Sequence, residues 1–142
     1  MQTKNQLLPI DSQLVFITDE TGIFDTFEQL KGQLSQLTAP FITLIYTVSE
    51  RNNDHFPFLL ELNILEKRFS EKFITHKLHT DSVTSYVSSV IQEFLEAIIN
   101  SRIEPTLVFS IFGHAEFVNQ TTDILGFLDV KSSFIKSKTI QQ

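Results

Sequence analysis

The chain has 142 residues, of which 42% are hydrophobic and 20% are charged, so it is long enough for one ordinary globular domain and too short for two. Its formal net charge of −6 argues against sequence-independent binding to nucleic acid, which requires a face rich in Lys and Arg. Because the chain has no cysteine, a disulfide, a thiolate catalyst and a cysteine-based metal site are all excluded.

The beginning of the chain does not resemble a targeting segment. Residues 1–11 contain one lysine and no long apolar run, so we expect an N-terminal extension rather than a secretory signal. No stretch anywhere approaches about 18 consecutive apolar residues, the length that a membrane span requires. The expected location is therefore the cytoplasm, and residues 1–142 are expected to form a single domain.

Apolar runs and helical patterns alternate along the whole chain. Short runs rich in β-branched and aromatic residues predict buried strands at 14–17, 41–48, 73–78, 106–112 and about 130–135. Apolar residues at helical spacing predict helices at about 23–37, 58–69, 83–98 and 115–128. Asp81 or Ser82 is the expected N-cap of the third helix, and Pro105 is expected to open the fourth strand.

This alternation predicts an α/β fold, a doubly wound five-stranded parallel sheet with right-handed crossovers and helices on both faces. Ligands bind such sheets beyond the carboxyl ends of the strands. Two of the four glycines, Gly22 and Gly113, lie in the turns that follow the first and fourth strands. Glycine permits close approach of a ligand to the main chain, although each glycine alone also fits a plain tight turn. A strand order of 3-2-1-4-5 would place both turns beside one crevice.

The residues of these turns resemble the nucleotide-binding domain of the ferredoxin–NADP reductase superfamily. Thr21-Gly22-Ile23 matches the end of the family's Gly-Gly-Thr-Gly-Ile text. Thr43-Leu44-Ile45-Tyr46 and the later Leu60-Glu61-Leu62 are similar to the family's Leu-Ile-Tyr-Gly and Glu-Leu stretches. Phe112-Gly113-His114 stands where the family usually has Cys-Gly-Pro, and Lys138-Thr139-Ile140 aligns with its C-terminal Glu-x-Phe.

The first turn departs from most members of that family. Thr18, Asp19 and Glu20 replace the glycine-rich stretch, and the text from Asp19 to Ile23 is similar to the Asp-Glu-Thr-Ala-Leu of siderophore-interacting proteins. Those proteins use flavin and a nicotinamide cofactor to reduce siderophore-bound iron(III). Carboxylates beside a helix N-terminus would compete with a pyrophosphate for the same N–H groups. At ~4 Å and an effective dielectric of about 20, each like-charge contact costs on the order of 4 kcal/mol before screening.

The resemblance implies a site and a function. The implied nucleotide site consists of residues from the first and fourth turns, with Arg51 beside the ribose: Thr18, Asp19, Glu20, Thr21, Gly22, Arg51, Phe112, Gly113 and His114. The chain would be the nucleotide-binding module of a flavin-dependent NAD(P)H oxidoreductase. The family's flavin-holding Arg-x-Tyr-Ser/Thr motif is absent, so FAD would act only through a separate domain or chain, and this chain alone would not be a complete reductase.

Two other interpretations of the sequence compete with this one. The altered turn and C-terminal motif also fit a degenerate, non-catalytic binding or regulatory domain that has lost the nucleotide. The acidic pocket of receiver domains would use Asp19 and Glu20, but Asp81 and Lys136 fit its spacing poorly. No metal site is expected, because His76 and His79 lie three apart on a strand and would face opposite sides.

Overall fold

A computed structural model of the chain describes residues 12–36, 38–49, 56–80, 89–101 and 106–140. In chain order its elements are β1 (Ser12–Thr18), α1 (Ile23–Leu34), β2 (Phe41–Ser49), α2 (Leu59–Arg68), β3 (Phe73–Thr80), α3 (Ser89–Ser101), β4 (Thr106–Gly113), α4 (Ala115–Phe127) and β5 (Ile135–Thr139), with a short 3-10 helix at Ser132–Phe134. Among these helices none is both long enough and apolar enough to cross a membrane.

The five strands form one sheet in the order β3-β2-β1-β4-β5, and every neighbouring pair is parallel. Every residue of β1 is buried, as expected for the central strand of a sheet covered on both faces. The predicted doubly wound fold is therefore confirmed. Because the chain changes direction across the sheet after β3, the strands β1 and β4 flank the point where the connections diverge.

Two apolar layers cover the sheet. Successive side chains of a strand point to opposite faces, so Leu14 and Phe16 enter one layer while Val15 and Ile17 enter the other. The first layer is closed by α1 and α2, and the second by α3 and α4. The periodic apolar stripes predicted from the sequence are the faces that these helices bury.

The last strand is displaced from its predicted position. Residues 130–135 were expected to form it, but β5 is Ile135–Thr139. Asp129 adopts a positive φ of 71° after α4, and the Val130 N–H donates to the Leu125 carbonyl at 2.9 Å, so the chain turns before it can enter the sheet. Val130 packs against the second apolar layer from this turn. Its apolar character therefore reflects a loop packed on the core, and the prediction was wrong.

Other boundaries differ less. α1 ends at Leu34 instead of about residue 37, because the next turn tightens: the Gln36 N–H donates to the Gln33 carbonyl at 3.3 Å, three residues back instead of four. The predicted N-cap at Asp81 or Ser82, the strand-opening Pro105 and the extension 1–11 lie outside the described residues. In the described part of the third helical pattern, α3 covers Ser89–Ser101.

Both outer strands carry charged groups along their edges. On β3, the backbone N–H of Thr75 donates to the Glu66 carboxylate of α2 at 3.1 Å. On β5, at the opposite side of the sheet, Lys136 and Lys138 are exposed. β2 separates the β3 edge from β1, whereas β5 pairs directly with β4.

Candidate functional site

The first and fourth turns lie side by side at the carboxyl edge of the sheet. Thr18, the last residue of β1, pairs with Phe112 of β4. The Asp19 N–H continues this pairing by donating to the Phe112 carbonyl at 3.4 Å. The expected juxtaposition of the two strand ends is therefore present, and the residues that follow each strand contact each other.

Glycine is required in each turn because the other turn approaches so closely. A Cβ on Gly22 would lie 2.6 Å from both the carbonyl carbon and the carbonyl oxygen of Phe112. Gly113 has φ +154°, and a Cβ there would lie 2.5 Å from Oδ1 of Asp19. Neither glycine merely closes its own turn, since each removes a clash with the neighbouring one.

The Asp19 carboxylate bridges the two turns. The side chain is only 6% exposed. Its Oδ1 accepts the N–H groups of Thr21 and Gly22, each at 3.0 Å, and the Thr21 hydroxyl at 2.6 Å. Its Oδ2 accepts the N–H of His114 at 3.1 Å, across 95 residues of sequence. One buried anion thus fixes the beginnings of α1 and α4 relative to each other.

The Asp19 carboxylate accepts the backbone N–H groups that were expected to bind a phosphate. The sequence predicts that an acidic side chain competes with a pyrophosphate here, but it does not predict that Asp19 points inward. An available signal was the spacing of Asp19 before Thr21 and Gly22, since an aspartate commonly accepts the N–H groups two and three residues ahead at a turn or helix start.

Thr18 and Phe112 lie beneath the two turns. The buried Thr18 hydroxyl donates to the Asp19 carbonyl at 2.9 Å, and the Thr18 carbonyl accepts the Thr47 hydroxyl at 3.3 Å. The Phe112 ring stacks on Phe16 with 6.1 Å between centroids and an interplanar angle of 11°. Both side chains therefore face the interior, and both residues support the turns from below.

Three predicted residues are partly exposed at the two turns. Glu20, Thr21 and His114 are each half-buried. His114 is the N-cap residue of α4, and its imidazole makes no hydrogen bond that caps the helix. The backbone of His114 holds the start of the helix instead. Its carbonyl accepts the Val118 N–H at 2.9 Å, and its own N–H donates to Asp19. The imidazole can therefore meet a ligand without unwinding α4.

An aromatic wall on the β2 side was not singled out from the sequence. The fully buried Tyr46 donates its phenol hydrogen to the Pro57 carbonyl at 2.8 Å and meets the Phe56 ring edge-on at 5.2 Å. Phe56 in turn meets the His79 ring edge-on at 5.1 Å. Burial, with the negative charges of Glu20 and Asp19 adding to it, raises the pKa of Tyr46 well above its ordinary value. These three rings therefore lie at the ends of β2 and β3, close enough to the acidic first turn for its charges to act on Tyr46.

The end of β5 closes the opposite side. The Lys138 ammonium contacts the Asp25 carboxylate of α1 at 2.5 Å, and the Ile140 N–H donates to the Gly113 carbonyl at 2.8 Å. The segment that aligns with the reductase C-terminal motif thus lies against the fourth turn. Arg51 of the predicted site is outside the described residues, so its role beside a ribose stays a prediction.

Comparison with known proteins identifies the fold. No protein-family model and no curated protein matches the sequence. Among solved structures, the NAD+ form of the CS-b5R domains of human Ncb5or matches 98% of this chain with a TM-score of 0.76 and 14% identity. Plasmodium falciparum ferredoxin-NADP+ reductase, also solved with 2'P-AMP, matches 97% with a TM-score of 0.71 and 21% identity. The cytochrome b5 reductase domain of Ulva prolifera nitrate reductase matches 89%, with a TM-score of 0.65 and 14% identity.

The chain spans only part of each of these structures, namely 40%, 57% and 49% of their lengths in the same order. The likeness to siderophore-interacting proteins is carried by the sequence of the first turn alone. At these identities the comparisons establish a shared architecture, so the described residues have the fold of one part of the ferredoxin–NADP and cytochrome b5 reductases.

Proposed function

We propose that residues 1–142 form a single cytoplasmic domain that is the nucleotide-binding module of a flavin-dependent NAD(P)H oxidoreductase. In this proposal the crevice between the first and fourth turns binds NAD(P)H. The bound nicotinamide then passes a hydride to a flavin held by a separate domain or chain, because redox chemistry of this kind belongs to the cofactors and not to side chains.

The observation that carries the proposal is the contact between the two turns at the switch point of the sheet. Open α/β sheets bind their ligands at this place. Gly22 and Gly113 let the two turns pack directly against each other there. The fold matches 97% of this chain to a ferredoxin-NADP+ reductase that was also solved with 2'P-AMP. The match covers only 57% of that reductase, and the unmatched part is consistent with the separate flavin-binding domain that the proposal requires.

Each predicted residue has a role in this proposal. Thr21, Gly22, Gly113 and His114 line the crevice, and Arg51 contacts the ribose side. Thr18 and Phe112 supply its floor through their main chain. Asp19 and Glu20 set its charge.

The sequence of the acidic first turn is the basis for proposing an electron acceptor. It is similar to the Asp-Glu-Thr-Ala-Leu of siderophore-interacting proteins, and in this chain its Asp19 is buried and hydrogen-bonded. On that likeness alone, siderophore-bound iron(III) is the proposed final acceptor. Reduction of a ferric siderophore to iron(II) by NAD(P)H, in the presence of the chain mixed with a flavin domain, would test this.

Calorimetric titration of the chain with NADH and NADPH tests nucleotide binding directly. We expect a saturable heat and a rise in melting temperature for at least one of the two cofactors. Adenosine is the matched control, because it keeps the base and ribose and lacks the phosphates. Millimolar cofactor without heat or a shift in melting temperature would exclude nucleotide binding by this chain.

A degenerate binding or regulatory module is the second candidate, and the placement of Asp19 specifically favours it. Three backbone donors at the turns are bound to an internal carboxylate. A module that no longer binds a nucleotide would release no heat on titration with NADH or NADPH and would still melt cooperatively. The same titration therefore separates the two candidates.

A further inference from the structure

We propose that the Asp19 carboxylate is an internal anion that occupies the phosphate position of the crevice, so that a dinucleotide binds only by displacing it. Asp19 would then be the residue that sets which ligands the crevice accepts. The inference rests on the proposed function and adds to it a built-in competitor for the nucleotide.

The donors that surround this carboxylate are those that a phosphate would need. The N–H groups of Thr21 and Gly22 reach Oδ1 from the first turn, and the His114 N–H reaches Oδ2 from the fourth. The Thr21 hydroxyl is a fourth donor to the same group. Backbone N–H groups converging at the beginnings of two helices favour an anion, and here the chain supplies that anion itself.

The carboxylate packs closely against the fourth turn. A Cβ on Gly113 would lie within 2.7 Å of Oδ1, Cγ and Oδ2 of Asp19, so the carboxylate packs directly against the main chain at the end of β4. Because the donors of both turns are bound to this side chain, a ligand phosphate can use them only by displacing it. The displaced carboxylate then faces the phosphate as a like charge.

Two charged side chains among the described residues also bear on this repulsion. Glu20 follows directly in the first turn and adds a second carboxylate. Lys138, on the neighbouring strand, is paired with Asp25. With Asp19 in place, the crevice therefore disfavours a ligand that brings a phosphate to this position.

The test is calorimetry on the full chain with NADPH, NADH and inorganic pyrophosphate. Asp19→Asn keeps the size of the side chain and removes its charge, and Asp19→Ser also shortens it. Asp123→Asn is the matched control, because it makes the same charge change at an exposed position on α4, eight residues beyond its first residue. We expect both Asp19 variants to bind NADPH at least about tenfold more tightly than the wild type, and to gain pyrophosphate binding, while the control is unchanged.

The outcomes separate this inference from the proposed function. If only the Asp19 variants bind, the inference holds and nucleotide binding by the unmodified chain is excluded. If the wild type binds and the folded Asp19 variants bind equally or less tightly, the inference is overturned and the proposed function stands. If nothing binds, both are overturned.

A melting transition confirms that each variant is folded. Should both Asp19 variants unfold, the wild type decides through amide NMR. NADPH must then move the signals of Thr21, Gly22 and His114 together, and unmoved signals would overturn the inference.

Discussion

Gly113 and Asp19 lie 94 positions apart in the sequence and pack directly against each other, so that a Cβ on Gly113 would lie 2.5 Å from Oδ1 of Asp19 and 2.7 Å from Oδ2. The adjacent His114 N–H donates to the same carboxylate. The glycine provides the space and the next residue provides the hydrogen bond. The first and fourth turns are therefore mutually dependent, and a change at either one acts on both.

Replacing Gly113 with alanine should destabilise the fold by about 2–3 kcal/mol, because the new methyl group overlaps the Asp19 carboxylate at a φ that side chains rarely adopt. Urea denaturation measures the loss. Gly32→Ala is the control, since it lies in α1 with no heavy atom within 4 Å of its added Cβ, and it should stabilise by about 0.5–1 kcal/mol. Equal effects at the two positions would contradict the close contact.

Replacing Tyr46 with phenylalanine should lower stability at neutral pH and weaken the loss of stability in alkali. At neutral pH the lost hydrogen bond to the Pro57 carbonyl costs about 1 kcal/mol. The pKa of Tyr46 is raised in the folded state, so the wild type loses stability as the pH rises above 10.0, where the unfolded chain releases the phenol proton first. The free energy of unfolding, measured by denaturation at stepped pH, should fall less steeply there for the variant. Parallel curves would show that Tyr46 is not the responsible group.

His76 should make the fold sensitive to mild acid. Burial lowers the pKa of His76 below its ordinary value of 6.5, and Glu66 only partly opposes this. Since the unfolded chain then binds the proton more readily, stability is complete above pH 6.5 and is lost as the pH falls below it. His76→Phe, which keeps a ring against Phe94, should flatten the stability curve between pH 6.5 and about pH 5, above the range where carboxylates dominate. Tyr46→Phe is the control, because it should leave the acid range unchanged.

Two phenylalanines on α4 provide a matched pair for the second apolar layer. Phe117 is 1% exposed and Phe127 is 75% exposed. Alanine at Phe117 leaves a cavity and should cost about 3–5 kcal/mol, whereas alanine at Phe127 should change stability by no more than about 0.5 kcal/mol. Thermal denaturation of both variants checks the difference. A large loss of stability at Phe127 would mean that another molecule covers the exposed end of α4 in solution.

Much of the fold followed from the sequence because its signals are local. The strands β1, β2 and β4 are dominated by β-branched and aromatic apolar residues, and such segments favour burial in a parallel sheet. The strand order placed Gly22 and Gly113 in neighbouring turns, as the structure bears out. The last strand could not be located in this way, because Val130 and Ile135 both pack on the core while only Ile135 belongs to β5.

The candidate site was less predictable because it depends on side-chain direction. The sequence identifies Asp19 and Glu20 as two adjacent carboxylates at a helix start and cannot say which of them turns inward. That choice is made by a donor from a distant turn, the His114 N–H, and by the space that Gly113 leaves. The Tyr46 wall was missed for a similar reason, since the hydrogen-bond partner Pro57 lies eleven residues further along the chain and no local pattern specifies that contact.

The two margins of the sheet bear on self-association. At Thr75 the outward N–H of β3 is already bound to Glu66, so a strand from a second molecule finds no free donor there. At the other margin, an incoming strand must desolvate the ammonium groups of Lys136 and Lys138. These groups oppose the edge-to-edge stacking through which sheets aggregate, so neutralising the three side chains should favour fibrillar assembly.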